Sequence, residues 1–142
     1  MFKIVRHPID LPGLLRLVGN EEAGAIATFV GVVRRQNAGK RVMAVEYEAY
    51  PAMAEKVLSR IGEEVARSFG PLRMVVEHRV GRLEVGEASV AIVVSAAHRR
   101  EALAAVSYAI ERVKQVAPIW KKEWYEDGTA WLENPSGAPG PE

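Results

Sequence analysis

The side chains best able to do chemistry in this 142-residue chain are basic ones at the borders of apolar segments. His98-Arg99-Arg100 follows the apolar run Ala88–Ala97 and opens a segment of helical periodicity. A helix N-terminus presents unpaired N–H groups and a partial positive charge, and adjacent guanidinium groups add bidentate donors, a set suited to phosphate or carboxylate. A solvated helix start has the same residues. Gly31–Arg41 is a second cationic segment, with Arg34, Arg35, Lys40 and Arg41 and no acid. From Ser95 to Lys122 six bases (Arg99, Arg100, Arg112, Lys114, Lys121, Lys122) face two acids (Glu101, Glu111), whereas Glu123–Glu142 holds five acids and no base.

Lys114 stands out by its position. With about 100° between successive helical residues, Leu103, Val106, Ile110, Val113 and Ala117 define one apolar arc, and Lys114 falls inside it, roughly 40° from Ile110. Such a lysine either snorkels to water at the helix end or lines a pocket where desolvation makes its proton labile. Beyond Pro118, strand alternation sends Trp120, Lys122 and Trp124 to one face and Ile119, Lys121, Glu123 and Tyr125 to the other. Lys121 and Glu123 are therefore neighbours, as a positioned ammonium or as a surface ion pair. The two tryptophans suit a core or an interface. His7 and His78 lack metal-ligand spacing and read as local hydrogen-bonders.

Composition bounds these readings. Nineteen bases against eighteen acids give a net charge of +1, too balanced for a chain that coats nucleic acid or an anionic membrane. Basic and aromatic residues interleave only over Trp120–Tyr125, which also disfavours nucleic-acid binding. With no cysteine, disulfides, thiolate nucleophiles, Cys-ligated zinc and iron–sulfur clusters are excluded. The longest apolar stretches, Gly24–Val33 and Ala88–Ala97, are too short to span a bilayer, and Pro12, Gly13 and Arg16 interrupt any secretory apolar core, so a cytoplasmic protein is expected. Phosphate-binding P-loop, dinucleotide-binding and Gly-x-Ser-x-Gly patterns are absent.

The elements that must position these residues follow from periodicity and punctuation. Strands are expected at Phe2–Val5, Gly24–Arg34, Val42–Tyr50, Leu72–Val80 and Ala88–Ala97, with Gln36–Lys40 a polar loop and Gly81–Gly86 a turn region. Helices are expected from Asp10 to Gly19, from Pro51 to Gly70 with Met53, Val57, Ile61 and Val65 inward, and from His98 or Arg99 to Val116 before Pro118. Ile119–Tyr125 and Thr129–Glu133 form a hairpin through Asp127-Gly128. One α+β domain over residues 1–134, with a mixed or antiparallel sheet, and a flexible Pro/Gly-rich tail over 135–142 are expected.

From about Glu21 to Glu133 these segments together resemble the catalytic (large) subunit of molybdopterin synthase. The resemblance is carried by Gly24-Ala25-Ile26-Ala27-Thr28-Phe29-Val30-Gly31-Val32-Val33-Arg34, Glu48-Ala49-Tyr50-Pro51-Ala52-Met53 and His78-Arg79-Val80-Gly81. It continues through Ser95-Ala96-Ala97-His98-Arg99 and Lys114-Gln115-Val116-Ala117-Pro118-Ile119-Trp120-Lys121-Lys122-Glu123. It implies an α/β hammerhead-type fold with an additional small antiparallel sheet, and a homodimer at the centre of a heterotetramer. It further implies a ubiquitin-like small subunit whose C-terminal Gly-Gly thiocarboxylate donates sulfur, twice in succession, to cyclic pyranopterin monophosphate (precursor Z), giving the dithiolene of molybdopterin. The implied catalytic residues are Lys114 and Lys121; the implied substrate-binding residues are Phe29, Arg34, His98, Arg99 and Glu123. No metal or organic cofactor is implied. The alternative is a non-catalytic module that binds a phosphorylated metabolite or a partner protein's tail through the same basic patch.

Overall fold

The computed structural model describes residues 1–133, so the tail expected over 135–142 lies outside the described residues. The chain runs β1 (Phe2–Val5), α1 (Leu11–Val18), β2 (Ala25–Val32), β3 (Gln36–Asn37), β4 (Lys40–Ala49) and α2 (Pro51–Phe69). It continues with β5 (Leu72–Arg79), β6 (Gly81–Leu83), β7 (Ala88–Ala96), α3 (Arg99–Val116), β8 (Ile119–Tyr125) and β9 (Ala130–Glu133).

Two sheets result. The first has the order β1-β5-β7-β2, with β1 parallel to β5 and the other pairings antiparallel. Its central strand β7 reads as an unbroken apolar run because both faces are covered. Val90, Ile92 and Val94 face the main core with Leu58, Ile61 and Val65 of α2 and Ala105, Ala109 and Val113 of α3. Ala91 and Val93 face the other way, onto Leu14 and Val18 of α1. Asp10 caps α1 through Gly13 N–H at 3.3 Å, as its carboxylate suggests.

The second sheet has the order β3-β4-β8-β9, with β6 paired to β4. Its inward residues Val42, Val45, Tyr47, Leu83 and Ile119 join the main core. Between α2 and α3, the Glu64 carboxylate accepts from Tyr108 Oη at 2.7 Å and from Arg112 Nε at 2.9 Å, tying the two helices beside α3's last turns. The expected α+β arrangement, a hammerhead-type domain with a small antiparallel sheet added, agrees with this layout.

Four local expectations need correction. The segment Gln36–Lys40 is no loop: Gln36 pairs with Arg41 and Asn37 with Lys40 around a tight turn, in which Ala38 (φ 52°) and Gly39 (φ 78°) both take the left-handed conformation. Only Gly39 signals such a turn by its type. Within Gly81–Gly86, Gly81 to Leu83 form a short strand against Val45 to Tyr47. On α2 the buried stripe is Ala54, Leu58, Ile61 and Val65, while Met53 is exposed. On α3 the buried stripe is Ala102, Ala105, Val106, Ala109 and Val113, and Leu103 is exposed. Alanines let α3 lie close to its neighbours, which rotates the buried stripe away from the larger Leu103. Lys114 therefore sits at the stripe's exposed border instead of inside it.

Candidate active site

The last turn of α3 and the start of β8 meet over β4 and β5. Helix α3 ends at Val116 because Pro118 offers no N–H and disfavours helical backbone before it. Ala117 is already extended at ψ 129°, with its N–H held by the Val113 carbonyl at 3.1 Å. The chain thus turns back at once into β8, where Tyr47 of β4 stands opposite Lys121. Seven residues apart in sequence, Lys114 and Lys121 come to line one cavity of about 70 Å³, together with Tyr47, His78, Val113, Ala117 and Ile119.

Glu123, next to Lys121 on the same face of β8, is the anionic support of this cavity. Its Oε1 lies 3.2 Å from Lys121 Nζ, and its Oε2 accepts from Asn37 Nδ2 at 2.7 Å and from Tyr125 Oη at 2.8 Å. Burial alone would push this carboxyl up, but the hydrogen bonds from Asn37 and Tyr125 and the Lys121 ammonium outweigh it and hold Glu123 below the usual carboxylate range. It is ionised at neutral pH. Arg34 Nη2 donates to Asn37 Oδ1 at 3.3 Å, so a relay runs from Arg34 through Asn37 and Glu123 to Lys121. Asn37 is absent from the residues marked by sequence. Its only signal was proximity to Gly39, because its role depends on the unexpected hairpin.

His78 was also passed over as a local hydrogen-bonder. It does contact its neighbour's carbonyl, with Nδ1 2.9 Å from Arg79 O, yet its ring also lines the cavity and meets Tyr47 edge-on at 5.0 Å. Burial, opposed in part by the Arg79 carbonyl and aided by the charge of Lys114, lowers its pKa to about 4. Its imidazole is neutral at physiological pH. Of the two tryptophans on β8, Trp120 is buried against Tyr50, with ring centroids 5.4 Å apart, while Trp124 is exposed under Lys122.

The remaining marked residues lie elsewhere in the chain. His98, Arg99 and Arg100 are exposed and line a separate recess with Gly24 and Ala97 at the N-terminal end of α3. Arg99 and Lys114 stand fifteen positions apart on α3, a backbone rise of about 22 Å at 1.5 Å per residue, so the two side chains start from opposite ends of the helix. His98 occupies the N-cap position without a side-chain capping bond, which leaves its ring open to other partners. Phe29, half-buried on β2 opposite Ile92, packs against the main core and does not line the lysine cavity. Among the described residues no group of three or more His, Asp or Glu side chains could hold a metal ion, and no helix is long and apolar enough to cross a membrane.

A mixed four-stranded sheet with helices on both faces, a five-stranded antiparallel sheet joined to it through the main core, and a paired-lysine cavity define a two-sheet α+β domain with an enzyme-like basic site. Residues 4–116 match the family described as MoaE protein, and the chain belongs to that family. The molybdopterin synthase catalytic subunit of Halalkalibacterium halodurans is 44% identical, over 97% of this chain and 93% of the relative. That of Bacillus subtilis is 47% identical, over 92% of this chain and 83% of the relative. In fold, the crystal structure of molybdopterin synthase from Staphylococcus aureus matches with a TM-score of 0.90 at 40% identity, covering 94% of this chain and 96% of that one.

Proposed function

We propose that this chain is the sulfur-transferring subunit of a molybdopterin synthase. It receives the C-terminal Gly-Gly thiocarboxylate of a ubiquitin-like small subunit and moves its sulfur to cyclic pyranopterin monophosphate, twice, to build the dithiolene. In each transfer the thiocarboxylate sulfur bonds to a pterin side-chain carbon as a carbon–oxygen bond of that carbon breaks, its oxygen leaving as water or staying with the opened phosphate; the acyl–sulfur bond is then hydrolysed and the tail leaves as a carboxylate. Water supplies the oxygen that hydrolysis requires. The reading calls for no metal or organic cofactor.

The observation that carries this proposal is the convergence of Lys114 and Lys121 on one cavity from two elements separated by a proline break. Both substrates are anions, and they approach each other only where fixed cations screen them. Lys121, held by Glu123, is suited to the tail's carboxylate and the charge that develops there. Lys114, exposed at the cavity rim, is suited to exchange a proton during sulfur addition and opening of the cyclic phosphate. Two glycines lack Cβ atoms and can pass where a bulkier tail would not. The relatives' designation as a catalytic subunit accords with a separate partner that supplies the sulfur.

The distance between Arg99 and Lys114 supports a homodimer in which a second copy's His98 and Arg99 complete the substrate-phosphate site beside Lys114 and Arg34. Strand β2, at the edge of its sheet, exposes Ile26 and Val32 and supplies an apolar surface for such pairing. The deciding experiment mixes the purified chain with thiocarboxylated small subunit and the cyclic pterin, and follows dithiolene product by mass spectrometry. Product that depends on all three components is expected. Binding of both ligands without product would leave a non-catalytic binding module instead.

A further inference from the structure

We propose that Asn37 is a positioning residue that holds Arg34 and Lys121 in a fixed relation, its carbonyl oxygen bound to the Arg34 guanidinium and its amide N–H acting through Glu123 on the Lys121 ammonium. The inference rests on the reading of this region as the sulfur-transfer site, and it gives a function to a side chain that the reaction scheme above does not use.

The orientation of the amide follows from its two neighbours. Glu123 is ionised and can only accept, whereas the Arg34 guanidinium can only donate. Both therefore require the same flip, with Nδ2 toward Glu123 Oε2 at 2.7 Å and Oδ1 toward Arg34 Nη2 at 3.3 Å. An amide suits this place because it donates at one end and accepts at the other while carrying no charge. An aspartate would accept from Arg34, but it would repel Glu123 and cancel part of the positive charge that two anionic substrates require.

The backbone delivers this amide from an element of its own. Asn37 pairs with Lys40 at the tight turn of the β3–β4 hairpin, where Ala38 and Gly39 take the left-handed conformation. Lys40 Nζ, 3.3 Å from Asp127 Oδ2 and 3.2 Å from Thr129 Oγ1, ties that hairpin to the turn between β8 and β9, and the Glu126 N–H donates to the Arg41 carbonyl at 2.9 Å. Glu123 meets the amide from β8. Its carboxylate is buried, so water does not readily replace a donor that is lost. The charged and titratable groups facing it are Lys121 and Tyr125 of β8, while its partners in register, Val45 of β4 and Trp131 of β9, carry no charge. Arg34 is exposed, and the bond to Asn37 takes one of the five N–H groups of its guanidinium. An anion gripped by Arg34 and one gripped by Lys121 are thereby spaced by one neutral amide and one carboxylate.

Two measurements test this. In a carbon-13 NMR titration of the whole protein, Asn37→Ala should raise the pH at which the Glu123 carboxyl titrates by about half a unit, because one donor to its ionised form is lost. Asn37→Asp keeps an acceptor for Arg34 but puts a like charge beside Glu123, so it should raise that pH at least as far, and it answers the same question if Asn37→Ala loosens the hairpin. A Glu123 titration unmoved in both variants overturns the proposal. With the complete synthase, Asn37→Ala should lower kcat about tenfold and raise KM for the pterin about threefold, and in an Arg34→Ala background it should raise that KM no further. A merely structural asparagine would lower the melting temperature and add its effect on KM to that of Arg34→Ala. Additive effects on KM, or an unchanged kcat in Asn37→Ala, overturn the positioning role. Absence of turnover in the unsubstituted protein counts against the sulfur-transfer reading alone, and the Glu123 titration then decides by itself whether Asn37 holds the pair.

Discussion

Lys121 Nζ and Glu123 Oε1 lie 3.2 Å apart across successive same-face positions of β8, and the other oxygen of Glu123 is occupied by Asn37 and Tyr125. The Glu123 side chain is 7% exposed, while the lysine keeps about a quarter of its side chain in solvent. This is an anchored anion holding a partly mobile cation. The pair fixes where one ammonium sits without quenching its outward face.

Glu123→Gln should test that anchoring. The amide retains bonding capacity toward Asn37 and Tyr125 but drops the charge, so a stability loss of roughly 1–3 kcal/mol is expected, with turnover falling more than stability explains. The pH dependence has a definite sign. The folded pKa of Glu123 lies below its ordinary value of 4.5, so its contribution to stability is full above that value and is lost as pH falls through the folded pKa. The gap in Tm between the unsubstituted protein and Glu123→Gln should therefore be constant near neutrality and close below about pH 4.5. Thermal melts over that range check it, and a gap that widens in acid would contradict the charge assignment.

Lys114→Ala should abolish product and leave the fold intact. The side chain is exposed and lines the rim of the cavity, so the change in stability should stay within about 1 kcal/mol. Circular dichroism and thermal melting should match the unsubstituted protein while the dithiolene assay reads background. Near-normal turnover would return Lys114 to the status of a surface lysine.

The site was more legible in the sequence than the routes that assemble it. Periodicity located α3, Pro118 marked its end, and alternation beyond it put Lys121 and Glu123 on one face, all properties of neighbouring residues. What eluded sequence reasoning depended on contacts made at long range. The inward face of α3 is built on alanines, whose small size is uninformative until the neighbour they admit is known, so Leu103 looked like core and Lys114 looked more buried than it is. Asn37 acquires its role only because a hairpin turns it toward Glu123, eighty-six residues away. His78 looked local because one of its two nitrogens is local, yet its side chain also lines a cavity shared with three further elements.

Ala38→Asn should raise stability without touching chemistry. Ala38 holds φ 52° at the first turn position, a conformation that costs a non-glycine residue about 1 kcal/mol and that asparagine tolerates best, and the change makes an Asn-Gly pair with Gly39. A gain of several tenths of a kcal/mol is expected, with kcat unchanged, because the Asn37 bond to Glu123 is preserved. Chemical denaturation and turnover measured side by side check both halves.

Whether the anion-binding residues act in their own copy or in a second one can be decided by mixing. Within one chain, α3 puts a backbone rise of about 22 Å between Arg99 and Lys114, at opposite ends of the helix. If each site takes Lys114 from one copy and Arg99 from the other, Lys114→Ala and Arg99→Ala are each inactive or weak alone, since every site in either homodimer lacks one of the two. After exchange of subunits, half of the dimers are mixed. Each mixed dimer gathers both substitutions in one site and leaves the other site whole, so activity should rise to about a quarter of that of the unsubstituted protein at equal subunit concentration. Calorimetry on Arg99→Ala should also show weakened binding of the pterin and little change for the small subunit, because the guanidinium is suited to phosphate. Activity that stays at the level of the single variants after verified exchange would confine each site to one copy. In that case Arg99 would need another ligand, and the substrate phosphate would have to be met by Arg34, through the Asn37 and Glu123 relay that ends at Lys121.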